Sequence, residues 1–467
     1  MATAGTVPSE TPPGDPSEPG TGSNASDFAS GARILSIGIA STGLFTFAYL
    51  ALASKLLTPG DYSRVSICWA LMYVILCVIY RPVEQLLSRT IADRAARGEH
   101  AHVLRTPAIL QASFAGLSLA VAFALRSQIE HRLFRGSDEL FWVLIAGVVA
   151  YAASYFARGW LAGNKRFALY GGLVFLESTS RFVFAVAVAI AVGGHLGLIA
   201  TAMAVAPFVS LTVIPFALRR VGPASPSMQE VEIADAALEG PAHSGVEEAA
   251  TDLSLRHGGG FAAAVTAIMA SEQTLMNAGV LIIGVAGSGL NITSGEAGFV
   301  FNVLLIVRAP LQLFQAVQTS ILPHLASMEA SGSREEARRA VRMTLLVIAG
   351  FAGAVAVGLL AIGPFVMSHL LSSHQEAYTY NRFGLAIVGV GMGLHLASGT
   401  LNQALLAMGR AGRAAICWVI AAAGFVLFVA LPTIPSEVLR VEVGYCLATA
   451  LLATMLGISY SVAARKG

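Results

Sequence analysis

The chain of 467 residues is 55% hydrophobic and only 12% charged, with a mean hydropathy of +0.70. An ordinary soluble domain is roughly 25% charged, so this composition excludes a soluble globular protein and indicates a polytopic membrane protein. The formal net charge is +2, and no nucleic-acid partner is expected.

Residues 1–30 are rich in Pro, Gly, Ser and Thr and lack the basic-then-apolar pattern of a cleavable signal peptide, so they read as a disordered cytoplasmic tail. Apolar runs of about 20 residues, enough to cross a hydrocarbon core of about 30 Å, then recur along the chain. Six fall in the first half, at 33–57, 64–88, 103–126, 139–163, 167–192 and 196–218. Six more lie at 258–285, 297–322, 342–367, 381–408, 412–431 and 441–462. The predicted fold is therefore all-α, with about twelve transmembrane helices. Its domains are a first six-helix bundle (31–220), an acidic cytoplasmic linker (221–257), a second bundle (258–462) and a basic cytoplasmic C-terminus (463–467). The linker carries seven acids among Gly, Pro and Ser, as a solvated connector does.

Alternate loops differ in basic charge. One side holds eighteen of the 29 Lys and Arg, including Arg89, Arg94 and Arg97 after the second span and Arg334, Arg338, Arg339 and Arg342 before the ninth. The other side holds seven, among them Lys55, Arg126 and Arg440. The positive-inside rule then places both termini in the cytoplasm.

The remaining four, Arg81, Arg158, Arg181 and Arg308, lie inside apolar spans. A charge at that depth faces a partner or a water-filled cavity and marks a functional path, and four arginines suit an anionic cargo. Arg308 is about eleven residues from either end of its span, which at about 1.5 Å per residue is near the bilayer middle. Arg158 is close enough to its span's end to snorkel to the interface. Glu84 is three residues from Arg81 and Glu177 four from Arg181, spacings that share a helix face and allow local neutralisation. Glu272, near Gln273, Asn277 and Asn302, is a candidate partner for Arg308 or a site for a coupling proton or cation. His395, mid-span, can titrate near neutral pH or sit hydrogen-bonded in the bundle.

The two halves repeat. IYRPVEQLLSR (79–89) and IVRAPLQLFQ (306–315) both place a proline just after an arginine, and RGWLAGNKR (158–166) matches LLAMGRAGR (405–413) in small residues before a basic turn. Arg81 and Arg308 are thus candidate equivalents in two pseudo-symmetric bundles, a plan that puts a transporter's substrate between its halves. Pro82 and Pro310 are expected to bend their helices, since proline removes a donor and clashes with an earlier carbonyl. There is no Walker A sequence, HExxH, GxSxG or dinucleotide fingerprint, and Cys68, Cys77, Cys417 and Cys446 form no metal-binding spacing. Neither enzyme chemistry nor a metal or cofactor is expected.

The segments IYRPVEQLLSRTIADRAARGE (79–99), RGWLAGNKRFALYGG (158–172) with LESTSRFVFA (176–185), and VRAPLQLFQAVQTSILPHLA (307–326) resemble bacterial polysaccharide flippases of the Wzx type. These belong to the multidrug/oligosaccharidyl-lipid/polysaccharide (MOP, MATE-like) exporter superfamily, and the resemblance spans residues 31–462. It implies two six-helix bundles in a V, alternating access, and outward movement of an undecaprenyl-pyrophosphate-linked glycan for surface polysaccharide such as lipopolysaccharide. A bacterial cytoplasmic membrane, H+ or Na+ coupling, and contact with membrane lipids, a glycan polymerase or glycosyltransferases are further implications. Arg81, Arg181 and Arg308 match the basic positions expected to hold the pyrophosphate. A MATE-like cation-coupled drug antiporter is an alternative, as is a lipid II-type flippase, although the latter usually carries two additional C-terminal helices.

Overall fold

The computed structural model describes residues 41–96, 104–164, 166–219, 255–286, 295–305, 308, 311, 334–371 and 380–466. The N-terminal tail, most of the acidic linker, and Pro310 lie outside the described residues.

Helix α1 covers residues 41–56. Helix α2 (Pro59–Ile75) begins where Thr58 accepts a hydrogen bond from the Asp61 amide and Pro59 supplies a preset backbone angle. A π-helical turn, Leu76–Tyr80, joins it to α3 (Arg81–Ala96), and within it the Arg81 amide donates to the Leu76 carbonyl. Pro82 explains the turn: it cannot donate to a carbonyl four residues back and its ring crowds that carbonyl, so the chain widens by one residue just before it.

Helices α4 (Arg105–Ala124), α5 (Asp138–Gly163), α6 (Phe167–Ala191) and α7 (Leu196–Ser210) complete the first lobe. The second contains α8 (Leu255–Ala286), α9 (Glu296–Leu305), α10 (Arg334–Leu371), α11 (Arg382–Ala407), α12 (Ala411–Ala430) and α13 (Glu437–Lys466). Ten helices among the described residues are long and apolar enough to cross a membrane, the α2–α3 span counting as one. The described parts of the first and eighth predicted spans, 41–56 and Glu296–Leu305, are helical but shorter. The chain is a multi-pass membrane protein. Leu346, Val347, Val357 and Phe365 of α10 are exposed apolar side chains, as befits a helix at the lipid boundary.

Lipid supplies no hydrophobic drive between helices, so close packing depends on small residues and polar contacts. In the first lobe α3 lies on α5, where a Cβ on Gly159 would stand 2.6 Å from the Glu84 carbonyl oxygen. The Tyr49 hydroxyl ties α1 to the Ile199 carbonyl of α7 at 3.0 Å. In the second lobe α11 packs on α10 and α13, and α12 on α8 and α13.

The lobes meet through α2 against α8 and α9. Gly284 lets Ile67 approach closely, Ser63 Oγ accepts from the Gly298 amide at 2.7 Å, and the Tyr62 hydroxyl donates to Asn302 Oδ1 at 2.5 Å. Asn302 also donates to Tyr380, whose ring stacks on Phe299 at 4.2 Å. These contacts cluster at the arginine-poor end of the bundle.

Candidate functional site

Deeper in, the charged residues converge. Glu177 of α6 accepts from Arg158 of α5 at 2.5 Å and from Arg181, one turn along its own helix, at 3.3 Å. Ser154 donates to the same carboxylate, and Arg181 also donates to the Tyr151 hydroxyl at 2.6 Å and to Thr46 at 3.3 Å. The guanidinium of Arg158 lies 4.6 Å from the Tyr155 ring centre and that of Arg181 4.9 Å from Trp69, within cation–π range. The expected local pair Glu177–Arg181 therefore exists, but the shorter bond goes to Arg158. Arg158, 9% exposed, does not snorkel; a buried carboxylate on the facing helix outcompetes the interface.

Glu84 accepts from the Tyr170 hydroxyl at 2.8 Å. Arg81, half-buried at the start of α3, lies within electrostatic reach of Glu84, Tyr155, Tyr170 and Cys77.

In the second lobe Arg308 donates to the Met276 carbonyl and to Asn277 Oδ1, both at 2.7 Å, and stands 5.3 Å from the Phe301 ring centre. These partners are neutral. Glu272, one turn before Met276 on α8, pairs instead with His395 of α11, Oε1 to Nε2 at 3.7 Å. The other imidazole nitrogen, Nδ1, meets the Tyr445 hydroxyl of α13 at 3.2 Å.

Tyr73 and Cys77, on the last turns before Pro82, gather these groups. Tyr73 is within electrostatic reach of Arg81, Arg181 and Arg308. Cys77 is within reach of Arg81, Arg158, Arg308 and Glu272. All four membrane arginines thus surround one stretch of α2, contributed by both lobes. Arg81, Tyr73, Glu272 and Arg308 remain partly accessible there. The Nε–H donors of Arg158, Arg181 and Arg308 are buried without an acceptor among the described residues. Such donors favour an anionic ligand, since guanidinium geometry suits paired hydrogen bonds to phosphate or carboxylate oxygens. Among the described residues no group of His, Cys, Asp and Glu is arranged for a metal.

The aromatic part of the site was not anticipated from the sequence. Tyr151 and Tyr155 are spaced by four on α5, three residues before Arg158, and that shared face was the available signal.

No protein-family model matches the chain, and no curated protein sequence matches it. Solved structures do. An inward-facing conformation of a multidrug resistance MATE family transporter of the MOP superfamily aligns over 93% of this chain and 97% of its own, at TM-score 0.66 and 12% identity. The chain has the MATE transporter fold. An outward-facing conformation of a multidrug resistance MATE family transporter aligns over 94% and 97%, at TM-score 0.56 and 15% identity. A mutant of the Vibrio cholerae MATE transporter VcmN covers 95% and 98%, at 0.58 and 15%. The two-lobe architecture read from the repeat is thus that of the MATE structures.

Proposed function

We propose that this protein is a flippase that carries a lipid-linked anionic glycan precursor, of the undecaprenyl-pyrophosphate class, across the bacterial cytoplasmic membrane by alternating access. The observation that carries this reading is Arg308: a guanidinium in contact with neutral groups, facing three further arginines across Tyr73 and Cys77. A pyrophosphate supplies the missing acceptors, and the glycan follows its carrier through the space between the lobes.

The contacts at the arginine-poor end support an inward-facing state, with the outer end sealed by Tyr62–Asn302 and Ser63–Gly298. The greater likeness to the inward-facing MATE structure, 0.66 against 0.56 for the outward-facing one, agrees with it. Glu272 with His395 is the candidate coupling unit for H+ or Na+.

Arg308→Ala and Arg308→Lys are to be compared in a glycan-export assay with expression and membrane insertion verified. Loss of export in the Ala variant, with partial function in the Lys variant, is expected. Full export by the Ala variant removes Arg308 from the mechanism.

A second reading, a cation-coupled drug antiporter, is favoured by the likeness to multidrug resistance transporters and by the half-buried Glu272. It requires a deletion strain that is drug-sensitive but keeps normal surface glycan.

A further inference from the structure

Helix α2 carries an aromatic side chain whose chemistry an anion alone leaves unused. Trp69 and Tyr73 are four residues apart and share one face of the helix. The two rings stack, with centres 5.7 Å apart and planes inclined by 20°. Trp69 is backed in turn by Tyr49 at 6.0 Å and lies under the Arg181 guanidinium at 4.9 Å. Packing of this kind leaves the Tyr73 ring little freedom, so it is preorganised for a further contact.

The rings that flank the arginines differ in one respect. Tyr49, Trp69, Tyr151, Tyr155 and Phe301 are buried, whereas Tyr73 keeps part of its surface accessible. Its hydroxyl has no hydrogen-bond partner among the described residues. Arg81 and Arg181 of the first lobe and Arg308 of the second are all within electrostatic reach of it. A partly open ring and an unpaired hydroxyl thus stand beside the place where the anion of the cargo is held.

A lipid-linked glycan presents two neighbours to that anion, the prenyl chain on one side and the first sugar on the other. Three guanidiniums make the surroundings of Tyr73 unfavourable for a hydrocarbon chain, which displaces their water and gives no partner back. A pyranose suits them better. Its C–H groups carry slight positive charge and pack on the negative face of an aromatic ring, and its hydroxyl or amide groups offer the phenol a hydrogen bond. A lipophilic cation also favours an aromatic face, but the same guanidiniums repel it.

We propose that Tyr73 is a sugar-recognising residue: its ring takes the C–H face of the pyranose next to the pyrophosphate, and its hydroxyl bonds a polar group of that sugar. The proposal rests on the flippase reading, and it divides the labour of the site. The arginines hold the anion common to every carrier of this class, and Tyr73 distinguishes a loaded carrier from an empty one. A carrier without its sugar then leaves the Tyr73 hydroxyl unpaired and its ring uncovered.

The test compares two probes on the purified full-length protein in lipid nanodiscs: undecaprenyl pyrophosphate, and the same carrier bearing one N-acetylglucosamine. The wild type should bind the sugar-bearing probe about tenfold more tightly, which is about 1.4 kcal/mol and within what one aromatic contact contributes beyond its area. Tyr73→Leu should bring the two affinities to parity, and Tyr73→Phe should keep the larger part of the preference. Should the Leu variant fold poorly, Tyr73→Met, which fills irregular space, should give the same parity. Damage to the arginine site weakens both probes together and preserves their ratio, so the ratio reports on Tyr73. Equal affinities in the wild type, or a preference that survives Tyr73→Leu or Tyr73→Met, overturn the sugar contact and leave the pyrophosphate reading standing. A preference lost in Tyr73→Phe overturns the stacking. A wild type that binds neither probe rejects the flippase reading itself, and the sugar contact falls with it.

Discussion

Glu177 sets the order of the first lobe's polar interior. It is the acceptor shared by Arg158, Arg181 and Ser154, with the Arg158 and Glu177 side chains 11% and 8% exposed. Removing one partner of such a pair strands a buried charge, which is destabilising by about 3–5 kcal/mol. Arg158→Ala should therefore lower stability by about that much, read from thermal unfolding of the purified protein. A double-mutant cycle with Glu177→Gln should show strong coupling, and additivity of the two changes would contradict the shared arrangement. Sequence spacing made only the i, i+4 part of this network legible. The Arg158–Glu177 bond joins residues 19 apart on two helices and depends on how α5 meets α6. Arg308 is the contrary case: its place among apolar residues was readable from the sequence, yet its actual acceptors, a backbone carbonyl and Asn277, were not.

At the scale of elements, the arginine-proline pair after α2 acts through backbone geometry. The π-helical turn Leu76–Tyr80 rotates α3 relative to α2, and Arg81 is the first residue beyond the turn. Pro82→Ala restores the missing donor and relieves the clash, so the span should revert to regular α-helix. The expected outcome is a protein of unchanged or raised stability with reduced glycan export; full export would detach the turn from function. A second element-level test concerns the α3–α5 contact. A methyl at position 159 meets backbone at 2.6 Å, which a flexible side chain cannot relieve. Gly159→Ala should cost about 1–3 kcal/mol, as overpacking does, and should disturb the Glu84–Tyr170 bond. The proline signal was plain in the sequence, whereas the tight glycine was one of 47 and gained meaning only from its neighbour.

For the whole molecule, the proposed alternating-access cycle requires the arginine-poor end to open. Cysteines at Ile67 and Gly284, in a chain whose native cysteines have been replaced, lie close enough to bridge, because a Cβ at 284 is 3.1 Å from Ile67 Cγ1. Oxidation should form the disulfide and halt export, and reductant should restore it. A cross-linked protein that still exports would refute the seal. The two-lobe plan was legible because an arginine-proline pair and a glycine-rich turn recur in both halves. Where the lobes touch was not legible, since Tyr62, Ser63 and Asn302 are ordinary polar residues whose pairing spans more than two hundred positions.

The hydrogen bonds identified between the lobes at that seal join uncharged partners. Neutral hydrogen bonds contribute about 0.5–1.5 kcal/mol each, so the two that cross the interface bias the equilibrium by about 1–3 kcal/mol. In population terms that is a preference of roughly five- to a hundredfold, given tenfold for every 1.4 kcal/mol. A cargo or a proton that distinguishes the two states by only this much can invert their populations. An ion pair in the same place would hold the end shut more firmly and leave the carrier waiting. In the proposed cycle, the chemistry of Tyr62 and Asn302 thus sets turnover as much as closure.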